Sequence, residues 1–149
     1  MTAGPWITPN AMRAQLLAGN YGNLLAASAV KVALFGSASN LGLASTVYSG
    51  LTDEVAAGDG YTTGGQAATL VAAGVSPAAA VVFSANVVWT ATSAAIPISG
   101  DAPYYAAVYV PTGGYILAYC LLDATPAAVT VPVGDNITLN TVNPIMLLQ

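Results

Sequence analysis

Tyr104-Tyr105-Ala106-Ala107-Val108-Tyr109-Val110, then Pro111-Thr112-Gly113-Gly114, then Tyr115-Ile116-Leu117-Ala118-Tyr119-Cys120-Leu121-Leu122: this run is the clearest structural signal in the chain. Aromatic and β-branched residues recur in both flanks, and such side chains fit a pleated, half-buried surface. Between them, one proline and two glycines supply the backbone angles that a short loop demands. The stretch therefore predicts an antiparallel hairpin. Side chains alternate along a strand, so Tyr105 and Tyr109 share one face while Tyr104 takes the other.

The same texture extends outward. Val30-Lys31-Val32-Ala33-Leu34-Phe35 alternates in part, with Val32 and Leu34 on one face and Lys31 and Ala33 on the other. Strands are predicted at 46–51, 67–72, 79–83 and 87–90, and a last apolar strand or tail at 145–148. The apolar run 67–83 is interrupted by Gly74 and Pro77, so it reads as two strands and a turn. A second hairpin is predicted from 129–133, Gly134-Asp135 and 136–140, with Pro132 marking an edge strand. Short strands punctuated by turns roughly every 8–12 residues indicate a sandwich or barrel. The expected fold is all-β, an antiparallel, jelly-roll-like sandwich over 30–149. Before it, residues 1–29 form an N-terminal arm with a short helix. Thr8 is placed to cap that helix, Pro9 to open it and Gly19 to end it, while Met12, Leu16 and Leu17 gather on one side. Residues 21–29 extend it or add a turn, with Gly22 arguing for a break.

Composition narrows what such a chain does. Of 149 residues, 56% are hydrophobic and only 5% charged, against about 25% charged in a typical soluble domain. The charges are Arg13, Lys31, Asp53, Glu54, Asp59, Asp101, Asp123 and Asp135. A surface this poor in charge is most simply explained if neighbouring subunits cover much of it, since obligate interfaces resemble a core cut in half. Mean hydropathy is +0.68, yet no run approaches the roughly 20 apolar residues of a spanning helix. Neither a secretory signal nor a basic amphipathic helix is visible, so the chain reads as soluble, without a membrane partner. A net charge of −4 with two basic residues argues against a nucleic-acid partner, whose phosphates need Lys and Arg.

Catalytic constellations are scarce. The chain has no His, which removes the commonest general base and the Ser–His and Cys–His nucleophile designs. A Ser–Lys pair would have to use Lys31, which is expected to face solvent. Asp53 and Glu54 are adjacent and would face opposite sides of a strand, a poor geometry for paired carboxylates; a polar turn leading to Asp59-Gly60 is the simpler reading. Asp59, Asp101 and Asp135 each sit beside a glycine, as turn residues do, and lack the close carboxylate spacing of a calcium loop. Gly60-Tyr61-Thr62-Thr63-Gly64-Gly65 lacks the Lys of a phosphate loop and reads as a backbone corner. Cys120, the sole cysteine, reads as a small buried hydrophobe. Trp6, Tyr21, Tyr48, Tyr61, Trp89, Tyr104, Tyr105, Tyr109, Tyr115 and Tyr119 suggest core or subunit contacts before a sugar platform. No catalytic, cofactor or metal site is expected, and no enzyme.

One resemblance adds to this reading. In order, the chain carries Val-Lys-Val-Ala-Leu-Phe at 30–35, Leu-Thr-Asp-Glu-Val at 51–55 and Gly-Asp-Gly-Tyr-Thr-Thr-Gly-Gly-Gln at 58–66. Val-Val-Phe-Ser-Ala-Asn-Val-Val-Trp-Thr at 81–90, Tyr-Ala-Ala-Val-Tyr at 105–109 and Val-Gly-Asp-Asn-Ile-Thr-Leu at 133–139 follow. Over about residues 10–140 this string resembles small structural proteins of tailed bacteriophages, β-sandwiches described as capsid decoration (cement), head-fibre or tail-associated proteins. The resemblance implies a virion subunit, made in the host cytoplasm, that self-associates as a homotrimer and clamps the major capsid protein on the shell surface. The alternative it implies is a tail or head-fibre module contacting a host glycan. Apolar chain ends are costly in water unless covered. Trp6, Ile7, Met12, Leu16 and Leu17 at one end, and Met146, Leu147 and Leu148 at the other, are thus the expected assembly contacts. On that view, deleting residues 1–19 abolishes capsid attachment and leaves the sandwich folded.

Overall fold

The hairpin forms as its residues dictate. In the computed structural model, which describes residues 3–74, 79–97 and 100–148, nine strands are numbered β1 to β9 in chain order. Strands β6 (Tyr105–Tyr109) and β7 (Ile116–Leu121) pair antiparallel from Tyr105 opposite Leu121 to Tyr109 opposite Ile116. The register slips by one residue between Val108 and Tyr109, leaving Leu117 as the extra residue of a bulge. Gly113 and Gly114 close the loop at φ 78° and 69°, angles that a side chain would strain. Strand β1 (Val30–Phe35) joins β6 on its other side, and β2 (Gln66–Ala68) joins β1, giving a four-stranded sheet in the order β2-β1-β6-β7.

Two smaller antiparallel sheets complete the all-β fold. Strands β3 (Leu70–Ala73), β4 (Ala79–Phe83) and β9 (Met146–Leu148) form one, and β5 (Val87–Thr90) pairs with β8 (Asn136–Leu139) in the other. Their inward residues meet in one core. Val30, Val32, Leu34, Val108 and Cys120 from the large sheet pack with Leu70, Phe83 and Met146 and with Val87, Trp89, Ile137 and Leu139. The other face of the large sheet is covered as well. There Ala33, Phe35, Ala107, Tyr109, Ile116 and Tyr119 form a second cluster under Leu41, Tyr48 and Leu51 of the long segment after β1. Being covered on both faces explains why β1, β6 and β7 read as almost continuous apolar runs.

Four expectations need correction. Residues 46–51 make no strand: Val47 forms a single bridge to Tyr115, and Tyr48–Gly50 is a 3-10 turn. From this turn the Tyr48 ring lies flat on Tyr109. The strand expected at 67–72 is two strands in different sheets, broken at Thr69. There the Thr69 carbonyl accepts from Ser84 N (2.9 Å) and its hydroxyl oxygen from Ser28 N (2.9 Å). The hairpin expected over 129–140 has its turn, but its arms go to different partners. Val131 bridges Ile96, while β8 pairs with β5 so that Ile137 and Leu139 face the core beside Trp89. Pro132 brings no N–H to a ladder, which limits what its arm can pair with. The helix, α1 (Met12–Leu17), is also shorter than expected and has no side-chain cap from Thr8. It ends as predicted, with Gly19 at φ 73° and Asn20 N donating to the Gln15 carbonyl (3.0 Å). Residues 21–29 form turns, and the turn expected around Pro77 lies outside the described residues.

The arm is no independent piece. Gly4 N donates to Leu121 O (2.9 Å), and Ile7 and Tyr119 exchange both backbone hydrogen bonds (2.7 and 2.9 Å). Residues 3–7 thus cover the outer edge of β7, and alternation sends Trp6 inward, edge-on to Phe83 at 5.8 Å. Met12 and Tyr21 belong to the main core.

Candidate functional site

Glu54, the chain's only glutamate, organises the densest polar constellation among the described residues. Residues 53–55 lie along the second half of β1, with Glu54 bridged to Phe35, Gly36 N donating to Asp53 O (2.8 Å) and Val55 N to Leu34 O (3.0 Å). Strand β2 reaches only as far as Val32 on that edge, so Leu34 N meets no strand partner there. The Tyr61 hydroxyl fills the gap. It accepts from Leu34 N (3.0 Å) and donates to Glu54 Oε1 (2.6 Å). Gly64 N donates to the same oxygen (2.6 Å), and the Tyr48 hydroxyl donates to Oε2.

The surrounding backbone makes this convergence possible. Gly58 and Tyr61 close a tight turn with reciprocal bonds (2.9 and 3.0 Å). Gly65, at φ 70°, passes so near β1 that a Cβ would stand 1.8 Å from Val32 O. Tyr109 of β6 donates from its hydroxyl to Gly64 O (2.8 Å), and its ring stacks on Tyr48 at 4.4 Å and 9°. Lys31, expected to face solvent, is only half-exposed: its Nζ lies 3.7 Å from the point a Gly64 Cβ would occupy, with the Tyr109 and Tyr48 hydroxyls close to that point.

Electrostatics keep the phenols protonated. Burial pushes the Tyr61 and Tyr48 hydroxyls well above the ordinary tyrosine range, and the hydrogen bond to Glu54 pushes them further. Tyr109 is raised by burial first and then by the Glu54 charge. The phenols therefore act as donors around one carboxylate. That arrangement pins the segment 48–65 to the sheet. Among the described residues, one open groove of about 220 Å³ lies against Asn40, Thr46 and Leu51 beside the Tyr48 turn, and another of about 190 Å³ against Ala3, Leu122 and Ile137.

The remaining candidates separate in space. Asp53, at φ 62°, accepts from Ala38 N (3.0 Å), and both its carboxylate and Asp101 crowd Gly36. Asp59 accepts from the Ser93 hydroxyl in the Asp59-Gly60 corner. No cluster of three or more His, Cys, Asp or Glu capable of holding a metal occurs among the described residues. Cys120 is buried, and burial pushes its thiol up to about 12. Tyr21, Tyr61, Tyr109, Tyr119 and Trp89 are core residues; Tyr104 and Tyr105, edge-on at 4.7 Å, keep part of their surface in solvent.

Of the expected assembly contacts, Met12 and Met146 are buried in the chain's own core, and Trp6 and Leu16 pack against it. Ile7 is 38% exposed and Leu17 90% exposed. Leu147 and Leu148 pair with Ala80 and Ala79 through their backbones. Glu54 escapes sequence reasoning because its partners lie both N- and C-terminal to it. The available signal was a lone glutamate flanked at similar distances by Tyr48 and Tyr61 in a chain almost free of charge.

Compared with known proteins, the chain matches no protein-family model, no curated protein and no solved structure. No helix among the described residues is long and apolar enough to cross a membrane.

Proposed function

We propose that the chain is a virion structural protein without enzymatic activity, a decoration subunit that binds the outside of a phage head and strengthens it through contacts between subunits. One observation carries the reading: apolar side chains stand uncovered on a surface nearly free of charge. Leu17 is 90%, Val142 77%, Val133 57% and Leu43 52% exposed, although the chain has already buried a core from three sheets. A neighbour that covers such residues removes about 25 cal/mol for each Å² of apolar surface taken from water. The hub at Glu54 fits the same role, because it stiffens the scaffold instead of presenting a reactive group. The resemblance of the ordered motifs to small phage structural proteins supplies the particle.

The test is co-sedimentation of the purified chain with undecorated phage heads. Saturable binding, with shells that hold their DNA to higher temperature once coated, is the expected result. Absence of binding to heads, together with absence of the chain from purified virions by mass spectrometry, would overturn it.

A further inference from the structure

The two ends of the large sheet differ in the charges exposed beside them. One end of the large sheet carries Val30, Tyr109 and Ile116, and the other Phe35, Tyr105 and Leu121, about 17 Å apart along β7 at the usual rise per residue. The arm runs antiparallel to β7, with Gly4 beside Leu121 and Ile7 beside Tyr119, so α1 arrives at the Ile116 end. The Tyr21 hydroxyl, donating to Ile116 O (2.8 Å), fixes the arm there. Arg13 and Leu17 lie four apart on α1, hence on one side of it, and both are exposed; Leu25, 49% exposed, follows shortly after. Lys31 pairs with Tyr109 near this same end, but it is half-exposed and its Nζ lies beside Gly64, whose N–H binds the Glu54 carboxylate, so Arg13 is the exposed cation there.

The opposite end is acidic. Asp101 is exposed beside Gly36, just past β1. Asp123 follows Leu122, whose N–H bonds Tyr104 O (2.9 Å). After Asp123 comes an exposed and mostly apolar run, 124–128. Arg13 with the bare Leu17 and Leu25 thus marks one pole of the large sheet, and Asp101 and Asp123, beside bare alanines and a proline, mark the other.

We propose that the Arg13–Leu17 pole of one copy docks on the Asp101–Asp123 pole of a second copy. The contact is head-to-tail. A two-fold contact between like poles would set Arg13 against Arg13 or aspartates against aspartates, whereas unlike poles satisfy both. An exposed ion pair adds little affinity by itself. Burial of Leu17 supplies the larger share, and the charges select orientation. The inference rests on the reading of the chain as a self-assembling subunit and names the surfaces that reading needs.

Sedimentation velocity of the full chain over a wide concentration range, at low and moderate salt, tests it. The wild type is expected to associate. Leu17→Ser should weaken association by about tenfold or more, and Arg13→Glu by about threefold to tenfold. Adding Asp101→Lys and Asp123→Lys to Arg13→Glu should recover most of the loss, with circular dichroism confirming that every variant is folded. A wild type that stays monomeric, a folded L17S or R13E that associates like wild type, or a charge swap without recovery would overturn the contact. Head binding is measured separately with the same proteins. Monomers that still coat heads sink this contact and leave the virion reading standing; head-to-tail association without head binding does the reverse.

Discussion

Removing the Glu54 carboxylate should destabilise the fold more than any other single change at a charged residue. Glu54→Ala leaves the Tyr48 and Tyr61 hydroxyls and Gly64 N without their acceptor. A buried donor left unpaired costs about 1–3 kcal/mol, and hydrogen bonds to a charged group are the stronger kind. Tyr48 is only half-buried, so water can rescue part of its loss; Tyr61 and Gly64 are buried. The sum is about 3–5 kcal/mol, a large part of the 5–15 kcal/mol typical of a whole domain. Glu54→Gln keeps the shape and one carbonyl oxygen, but turns an amide donor toward the Tyr48 hydroxyl, which must rotate to accept. Its expected cost is about 1–2 kcal/mol. Urea unfolding followed by far-UV circular dichroism gives both values, and near-UV tyrosine signals report whether the Tyr48–Tyr109 stack survives. The ordering matters as much as the size. If Glu54→Ala unfolds within about 0.5 kcal/mol of the wild type, the scatter expected of surface substitutions, the hub is not what holds the 48–65 segment.

Gly65→Ala should destabilise by about 3 kcal/mol or more or abolish soluble expression, because its Cβ would meet Val32 O at 1.8 Å with φ at 70°; Gly134→Ala, at φ 89° in open space, serves as the control with a cost of about 1 kcal/mol. Alkali should unfold the protein. Tyr21, pushed up to about 12, and Tyr48, Tyr61, Tyr109 and Tyr119 all have raised pKa values. From about pH 10 the unfolded chain releases phenolic protons that the folded chain retains, so stability is complete below that point and falls as pH rises through the folded values. Unfolding midpoints in urea that stay level from pH 9 to about pH 11 would contradict this assignment. Deleting residues 1–19, finally, should yield aggregated or unfolded chain, because it strips the cover from the β7 edge and removes Trp6 and Met12 from the core; a soluble, cooperatively melting truncation would show that the arm is dispensable.

How much of this was legible in the sequence depends on how local the deciding interaction is. The β6–β7 hairpin was readable because turn residues and flanking strands are contiguous. Strands β1, β4 and β5 were readable for the same reason, since each announces itself over a few residues. The partner of β8 was not. A Gly-Asp turn after Val133 looks identical whether its arms close on each other or diverge, and only the burial of Trp89 beside Ile137 in the finished core decides it. Tyr48 misled for a related reason. Its neighbours have strand-forming side chains, but the energy of stacking on Tyr109, 61 residues away in sequence, outweighs local propensity. In sequence Glu54 looks like a turn residue, because adjacency to Asp53 is the only visible fact about it. Its donors come from both sides, and no periodicity links them.

The arm carries the most consequence for function. Chain ends with Trp, Ile, Met and Leu look like free adhesive segments when only sequence is visible, and the expectation that they dock on a neighbour follows from that. In the folded chain the same residues divide between two sides, by alternation along residues 3–7 and by the helical period in α1. Trp6 and Met12 face inward and complete the core, while Ile7 and Leu17 face outward. A segment cannot both close its own β7 edge and leave to bind a shell protein without exposing Tyr119 and Phe83, which now lie beneath or beside it. Whatever the arm contacts must therefore be met by its outward side while it stays in place. That leaves a neighbour the outward surface carrying Ile7, Arg13, Leu17 and Leu25. Point substitutions there, unlike truncation, can then separate loss of assembly from loss of fold.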